Sequence, residues 1–157
     1  MALSAVVFDV GETLVDETRH ARTGDPDRPF ATADLHADAL PCIAELRRRG
    51  LRVGAAGNMH AIHETFLFEH VDAVGSSERW GVRKPAPAFF EHVVQLVGAA
   101  PDEVAYVGDR VDNDIVPALA AGLVAVHVRR GSWAHLQPTP DGVAAIDSLD
   151  ELPDVLA

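Results

Sequence analysis

The 157-residue sequence is poor in cysteine, in aromatic residues and in basic residues. A single cysteine excludes an intramolecular disulfide and a zinc site built from cysteines. Six Phe, two Trp and one Tyr are too few to dominate a core, which must consist mainly of Ala, Val, Leu and Ile. Lys and Arg number 13 against 24 Asp and Glu, giving a formal charge of −11. This acid excess argues against binding to nucleic acid or to an anionic membrane surface.

The sequence also lacks long hydrophobic runs. No stretch approaches the roughly 20 apolar residues that span a bilayer, and the first residues carry no export signal. The apolar fraction of 48% and the charged fraction of 24% are typical of a folded globular chain. We therefore expect a cytoplasmic protein with a single core domain over residues 1–157.

Short apolar runs alternate with segments of helical periodicity. The runs are rich in β-branched residues, which is typical of strands buried on both faces. Predicted strands are residues 5–8, 51–56, 71–74, 104–107 and 124–128, and predicted helices are residues 34–49, 60–70, 85–97, 113–121 and a short one from 148. This alternation predicts an α/β fold: a doubly wound, Rossmann-like parallel sheet with helices on both faces.

Two segments do not follow this pattern. Residues 17–33 are polar, contain Gly24, Pro26 and Pro29, and show no periodicity, so we predict a mobile loop beside the end of the first strand. Residues 131–142, after the last strong strand, are predicted to be a simple connection.

Chemically useful residues follow three of the predicted strands. In a parallel α/β sheet, ligands bind at the carboxyl ends of the strands. Asp9, Asn58 and Asp109 stand at such ends, and Asp114 lies at the start of the next helix. Each Asp alone is more often a helix cap than a catalyst. Three carboxylates that converge with Lys84, however, form a hard-cation site of the kind that binds Mg²⁺.

The same residues carry a resemblance to a known family. The segments are FDVGETL at residues 8–14, KP at residues 84–85 and GDRVDND at residues 108–114. They resemble the first, third and fourth motifs of the haloacid dehalogenase-like hydrolase superfamily. The resemblance implies a Rossmann-like core, a bound Mg²⁺ ion and an aspartyl enzyme intermediate, usually in the hydrolysis of phosphate esters.

The resemblance also assigns roles residue by residue. Asp9 would attack phosphorus in line and become phosphorylated. Asp9, the backbone carbonyl of Gly11 and Asp109 would hold Mg²⁺, with Asp114 as a ligand directly or through water. Lys84, the second catalytic residue, would neutralise phosphate oxygens together with the metal.

Two positions depart from the family pattern. Family phosphatases carry a second Asp, the general acid/base, where this sequence has Gly11; such a group contributes roughly 10²–10⁴-fold in rate. The nearest carboxylate is Glu12, and whether it replaces the missing group stays open. Gly57 stands where a Ser or Thr hydroxyl normally binds phosphate, which leaves the backbone N–H groups of Gly57 and Asn58 for that task. On this interpretation, Gly11→Asp is expected to raise the rate.

The sequence leaves no room for a helical cap. The 17–33 segment is too short for one, so the chain is expected to be a capless or truncated-cap member with an open site, unless a homodimer covers it. The preferred hypothesis is a Mg²⁺-dependent phosphatase acting on a small phosphorylated substrate or a phosphorylated macromolecule. The alternative is a catalytically weakened protein that binds a phosphorylated ligand or a partner. Hydrolysis of a 2-haloacid is the least favoured hypothesis.

Overall fold

A computed structural model describes residues 2–157. Six strands form one parallel sheet in the order β3-β2-β1-β4-β5-β6. The strands are β1 (Ala5–Phe8), β2 (Arg52–Gly57), β3 (Ala73–Ser76), β4 (Val104–Gly108), β5 (Val124–Val128) and β6 (Ala144–Ile146). The chain order reverses at β1, so β1 has β2 on one side and β4 on the other.

Seven α-helices and several single turns connect the strands within the described residues. The helices are α1 (Glu17–Ala21), α2 (Ala39–Arg48), α3 (Glu64–Phe68), α4 (Ser77–Trp80), α5 (Pro87–Val97), α6 (Val116–Ala120) and α7 (Leu152–Val155). Turns of 3₁₀ helix lie at Thr32–Asp34, Ala61–His63, Pro101–Glu103 and Leu149–Glu151, and a π-helical turn lies at Val111–Ile115.

Apolar side chains pack on both faces of the sheet. Successive residues of β1 alternate: Val6 and Phe8 join a cluster with Leu46 of α2, whereas Val7 joins a cluster with Phe90 of α5. All five of these side chains are fully buried. Burial on both faces explains the continuous apolar runs in the sequence and confirms the predicted doubly wound α/β fold.

The structure differs from the sequence prediction at several boundaries. The helix predicted over residues 34–49 begins at Ala39, because Thr32–Asp34 forms a separate 3₁₀ turn. Strand β6 and helices α1 and α4 were not predicted, since each has only three to five residues and too few positions to show a period.

The segment over residues 17–33 begins with a helix where a loop was predicted. The Asp16 carboxylate accepts a hydrogen bond from the Arg19 backbone N–H at 3.0 Å and so caps α1. The Arg19 guanidinium donates to the carbonyls of Ala33 and Leu35 at 2.8 and 3.1 Å. These hydrogen bonds therefore hold the segment in a defined conformation, which the sequence periodicity did not predict. No separate cap domain is inserted anywhere in residues 2–157.

Across residues 2–157, none of the helices has both the length and the apolar character needed to cross a bilayer.

Candidate active site

The residues predicted to carry chemistry meet at the carboxyl ends of the central strands. Asp9 directly follows β1, Asp109 directly follows β4, and Gly57 is the last residue of β2. The parallel register places Phe8 beside both Val107 and Ala55, so these three strand ends lie side by side. The point where the strand order reverses is where α/β sheets bind ligands.

Asp9, Asp109 and Asp114 form a buried carboxylate cluster. One carboxylate oxygen of each lies within 4.8 Å of the others, and the residues are only 6%, 4% and 1% exposed. Asp114 reaches the cluster from the π-helical turn that follows β4, and it passes very close to Gly108. A Cβ atom on Gly108 would lie 2.4 Å from the Cβ of Asp114, so only glycine allows this approach.

Lys84 is buried inside the cluster. Its Nζ lies 2.6 Å from Asp9 Oδ1 and 2.6 Å from Asp114 Oδ1. The Asn58 side chain fixes the Lys84 backbone from both sides: Asn58 Oδ1 accepts from Lys84 N at 2.8 Å, and Asn58 Nδ2 donates to Lys84 O at 3.2 Å. The second oxygen of Asp9 accepts a hydrogen bond from the Thr13 hydroxyl at 3.2 Å. The orientation of the predicted nucleophile is thus set by two side chains.

Burying three carboxylates and one ammonium group together shifts the pKa values of these groups. Burial and the neighbouring charge of Asp9 raise the pKa of Asp109 to about 10 and that of Asp114 to about 6. Burial lowers the pKa of Lys84, but the charges of Asp114 and Asp9 outweigh it and hold that pKa well above its usual value. Lys84 is therefore an ammonium at neutral pH.

Gly11 lies beside the carboxyl group of Glu17, a residue that sequence reasoning did not single out. A Cβ built on Gly11 would lie 2.3 Å from Glu17 Oε1 and 2.9 Å from Glu17 Cδ. Burial, then the charges of Glu12 and Asp9, raise the pKa of Glu17. Glu12 points elsewhere: its Oε1 accepts from the Glu17 backbone N–H at 2.7 Å, and its Oε2 lies against Gly131.

Gly57 and Asn58 line the same pocket as Asp9, the predicted nucleophile. A Cβ on Gly57 would lie 3.3 Å from Asp9 Oδ1, so a side chain at this position would point into the space beside the carboxylate. The Asn58 side chain is committed to the Lys84 backbone. Its predicted contribution to phosphate binding is therefore through the backbone.

These residues line a pocket of about 460 Å³ whose rim comes from segments predicted to be loops. Phe30 belongs to the segment between α1 and α2, and Trp133 belongs to the segment between β5 and β6. The Arg110 guanidinium lies 4.0 Å from the Trp133 ring centre, and Gln137 Oε1 accepts from the Val111 N–H at 2.7 Å. The segment over residues 131–142, predicted to be a simple connection, thus contributes Ser132 and Trp133 to the pocket lining.

His127 supports Asp109 from inside the sheet. The residue is fully buried on β5, and its Nε2 lies 3.2 Å from the Asp109 carbonyl oxygen. Its Nδ1 lies 2.7 Å from the Thr139 hydroxyl, and burial lowers the pKa of the ring. His127 thereby connects the Asp109 backbone to the segment over residues 131–142.

The structure brings all seven predicted site residues to one pocket. They are Asp9, Gly11, Gly57, Asn58, Lys84, Asp109 and Asp114. Sequence reasoning missed Glu17, Phe30 and Trp133, which come from segments without periodicity. The one sequence feature that could have indicated Glu17 as a site residue was its position shortly after the end of β1.

Comparison with known proteins agrees with the sequence motifs. The model of the haloacid dehalogenase-like hydrolase family matches residues 22–122. A glyceraldehyde 3-phosphate phosphatase from Methanopyrus kandleri is 33% identical, over 82% of this chain and 54% of that protein. A phosphoserine phosphatase from Thermus thermophilus is 31% identical, over 83% of this chain and 59% of that protein.

Among solved structures, a HAD phosphatase from Thermococcus onnurineus shares the fold. It superposes with a TM-score of 0.77 at 19% identity and covers 99% of this chain and 98% of that chain. The chain spans about half the length of the curated relatives it matches. The family model covers well over half of the chain, and the motif residues meet at one site. The chain therefore belongs to the haloacid dehalogenase-like hydrolase family.

Proposed function

We propose that the chain is a Mg²⁺-dependent phosphatase that works through an aspartyl-phosphate on Asp9. The observation that carries the proposal is the position of Asp9: its carboxylate shares one pocket with two other carboxylates and lies 2.6 Å from the Lys84 ammonium. The phosphatase names of the relatives from Methanopyrus kandleri and Thermus thermophilus support the same chemistry.

The donor set fits a divalent cation. Asp9, Asp109 and Asp114 offer hard oxygen ligands close together, the type that Mg²⁺ prefers. When a divalent ion displaces the proton held on Asp109, three carboxylates face the one ammonium of Lys84, and the charge of the ion balances the remaining two negative charges. The carbonyl of Gly11 is a further ligand in this proposal. When bound, the ion supplies Lewis-acid stabilisation of charge on the phosphoryl oxygens.

The protein's own residues position and stabilise the reacting group. Asp9 attacks phosphorus, because its carboxylate is held in the pocket by Lys84 and Thr13. Lys84 neutralises a phosphoryl oxygen, and the two hydrogen bonds from Asn58 keep its backbone in place. The backbone N–H groups of Gly57 and Asn58 bind the phosphate, since no hydroxyl is present at residue 57.

The pocket suits a small phosphorylated substrate. Its volume of about 460 Å³ lies within the usual range of small-molecule sites, and its lining is mainly polar. The two relatives are named for small phosphate esters. The three-carboxylate cluster favours this reaction over hydrolysis of a carbon–halogen bond. A homodimer that covers the pocket and a cytoplasmic location remain predictions.

The test is turnover of an aryl phosphate with and without Mg²⁺. We expect activity that requires both Mg²⁺ and Asp9, with Asp9→Asn reducing turnover by at least about 10³-fold because the nucleophile is lost. Asp27→Asn, an exposed carboxylate outside the pocket, is the matched control and should keep full activity. Tight binding of phosphate ligands without Mg²⁺-dependent turnover across a panel of esters would instead establish the binding-protein alternative.

A further inference from the structure

The carboxyl group of Glu17 occupies the space that the missing side chain of Gly11 leaves open. A side chain at residue 11 would begin 2.3 Å from Glu17 Oε1 and 2.9 Å from Glu17 Cδ, so it cannot coexist with the observed Glu17 conformation. Both residues line the same pocket as Asp9 and Asp109. The end of the Glu17 side chain thus occupies the space into which a side chain at residue 11 would extend.

Glycine at residue 11 is not required by the backbone. Seven glycines of the described chain have positive φ, where other residues are strained, and Gly11 is not one of them. The absent Cβ therefore has a different physical reason: it makes room for the Glu17 carboxyl group. Glycine at 11 and glutamate at 17 form a matched pair.

Helix α1 holds Glu17 in this position. The Glu17 backbone N–H donates to Glu12 Oε1 at 2.7 Å, and Asp16 caps the same helix through the Arg19 N–H. The helix is then tied to the rest of its segment, since His20 Nε2 lies 2.8 Å from the Arg28 carbonyl oxygen. Glu12 is committed to this capping contact, which leaves Glu17 as the carboxyl group directed at Gly11.

We propose that Glu17 is the general acid/base of this enzyme and substitutes for the carboxylate that Gly11 lacks. The proposal rests on the proposed phosphatase function. In the first step Asp9 forms a bond to phosphorus, the bond from phosphorus to the ester oxygen breaks, and the Glu17 carboxyl proton passes to that leaving oxygen. In the second step a water oxygen attacks phosphorus and one of its protons passes to the Glu17 carboxylate. The bond between Asp9 and phosphorus breaks, releasing phosphate.

Two substrates separate this role from a structural one. An alkyl phosphate needs a proton on its leaving group, whereas dinitrophenyl phosphate does not. With the alkyl ester, Glu17→Gln should lower kcat by about 10²–10⁴-fold with little change in KM. With dinitrophenyl phosphate, Glu17→Gln should release one equivalent of dinitrophenolate in a burst and then turn over slowly. The phosphorylated enzyme should accumulate, because the base for the second step is missing.

Because Gly11 and Glu17 form a matched pair, a substitution at residue 11 is expected to restore the activity lost by substituting Glu17. Gly11→Asp alone should give no gain in rate, since the new carboxylate and Glu17 compete for one position. Combined with Glu17→Ala, Gly11→Asp should restore steady-state turnover of the alkyl ester to within about tenfold of the unmodified enzyme. Asp27→Asn, an exposed carboxylate of the same segment outside the pocket, is the control and should retain activity with both esters.

Several results would overturn the assignment. Equal kinetics of Glu17→Gln and the unmodified enzyme on both esters would exclude Glu17, and a faster Glu17→Ala variant would mark it as a blocking group. Loss of the burst with dinitrophenyl phosphate would show a structural role. A clear increase in rate for Gly11→Asp alone would show that no other residue supplies the general acid that residue 11 lacks. Absence of any Mg²⁺- and Asp9-dependent burst in the unmodified enzyme would overturn the phosphatase function itself.

Discussion

At the scale of single residues, Gly108 shows how a missing side chain shapes the carboxylate cluster. A Cβ at this position would lie 2.4 Å from both Cβ and Cγ of Asp114, far below any real contact. We expect Gly108→Ala to push Asp114 away from Lys84. The variant should lose about 10–100-fold in Mg²⁺ affinity and at least as much in kcat/KM. Its unfolding free energy should fall by about 1–3 kcal/mol. Titration calorimetry and steady-state kinetics measure the two functional effects.

Gly142→Ala is the matched control for this substitution. Gly142 has a φ of +80°, and a Cβ there would meet nothing within 4 Å. The substitution should cost about 1–2 kcal/mol of backbone strain and leave Mg²⁺ binding and activity unchanged. An equal functional loss in both variants would show that activity follows overall stability, and not the position of Asp114.

At the scale of elements, one contact ties the segment that follows α1 to the turn that precedes α3. The Phe30 ring stacks on the His63 ring with centroids 3.7 Å apart, and the Phe30 N–H donates to His63 Nδ1 at 3.1 Å. Accepting this bond requires an unprotonated Nδ1. Burial, then the charge of His20, lowers the pKa of His63 to about 4. Phe30 lines the pocket, so this contact also sets part of its rim.

The contact predicts a pH dependence of stability. The unfolded chain protonates His63 near pH 6.5, whereas the folded chain does so only near pH 4. Between these values the unfolded state binds more protons, so stability falls as the pH drops from about 6.5 to 4. We expect about 1–2 kcal/mol of this loss to come from His63. Denaturant unfolding at pH 7 and at pH 4.5 measures it.

His63→Asn isolates the contribution of the histidine. Asparagine Oδ1 can accept the Phe30 N–H and does not titrate in this range. The variant should lose less stability than the unmodified protein between the two pH values. An identical loss in both proteins would mean that other groups carry the acid sensitivity.

The elements also show what the sequence could and could not predict. Asp9, Asp109 and their neighbours were predictable because apolar runs mark buried strands, and parallel strands end at a common edge. Helix α1 and the pocket wall around Trp133 were not, because hydrogen bonds and a cation–π contact hold them, and neither leaves a period in the sequence. Glu17 was missed for the same reason: its role depends on where α1 is anchored.

At the scale of the whole molecule, the formal charge is −11, and the acidic residues that oppose folding most are those buried in the candidate active site. Most acidic residues remain solvated at the surface, whereas Asp9, Asp109 and Asp114 are buried. Because the pKa of Asp109 is raised to about 10 in the folded protein, folding at neutral pH requires this carboxylate to take up a proton, and that uptake opposes folding. Stability and metal binding are therefore opposed at this residue.

Asp109→Asn should separate these two effects. Without metal at pH 7–8, the variant should be more stable by about 1–2 kcal/mol, since asparagine needs no proton uptake on folding, whereas Asp109 does. This advantage should shrink as the pH falls towards 4, because protonation then neutralises Asp109 in both states. The unmodified protein should gain about 2.7 kcal/mol from Mg²⁺ at 100 times its dissociation constant, or roughly 5–10 °C in Tm. The variant should gain almost nothing.

Thermal unfolding with and without Mg²⁺ measures both parts of this expectation. Asp102→Asn, an exposed carboxylate of the Pro101–Glu103 turn, is the control and should change neither the metal-free Tm nor its response to Mg²⁺. A metal-free Asp109→Asn protein less stable than the unmodified one would show that Asp109 contributes to the fold beyond its charge. A full Mg²⁺ response in that variant would place the metal elsewhere. The two measurements thus test whether Asp109 lowers the stability of the metal-free protein. They also test whether the same residue is needed to bind a cation at the end of the central strands.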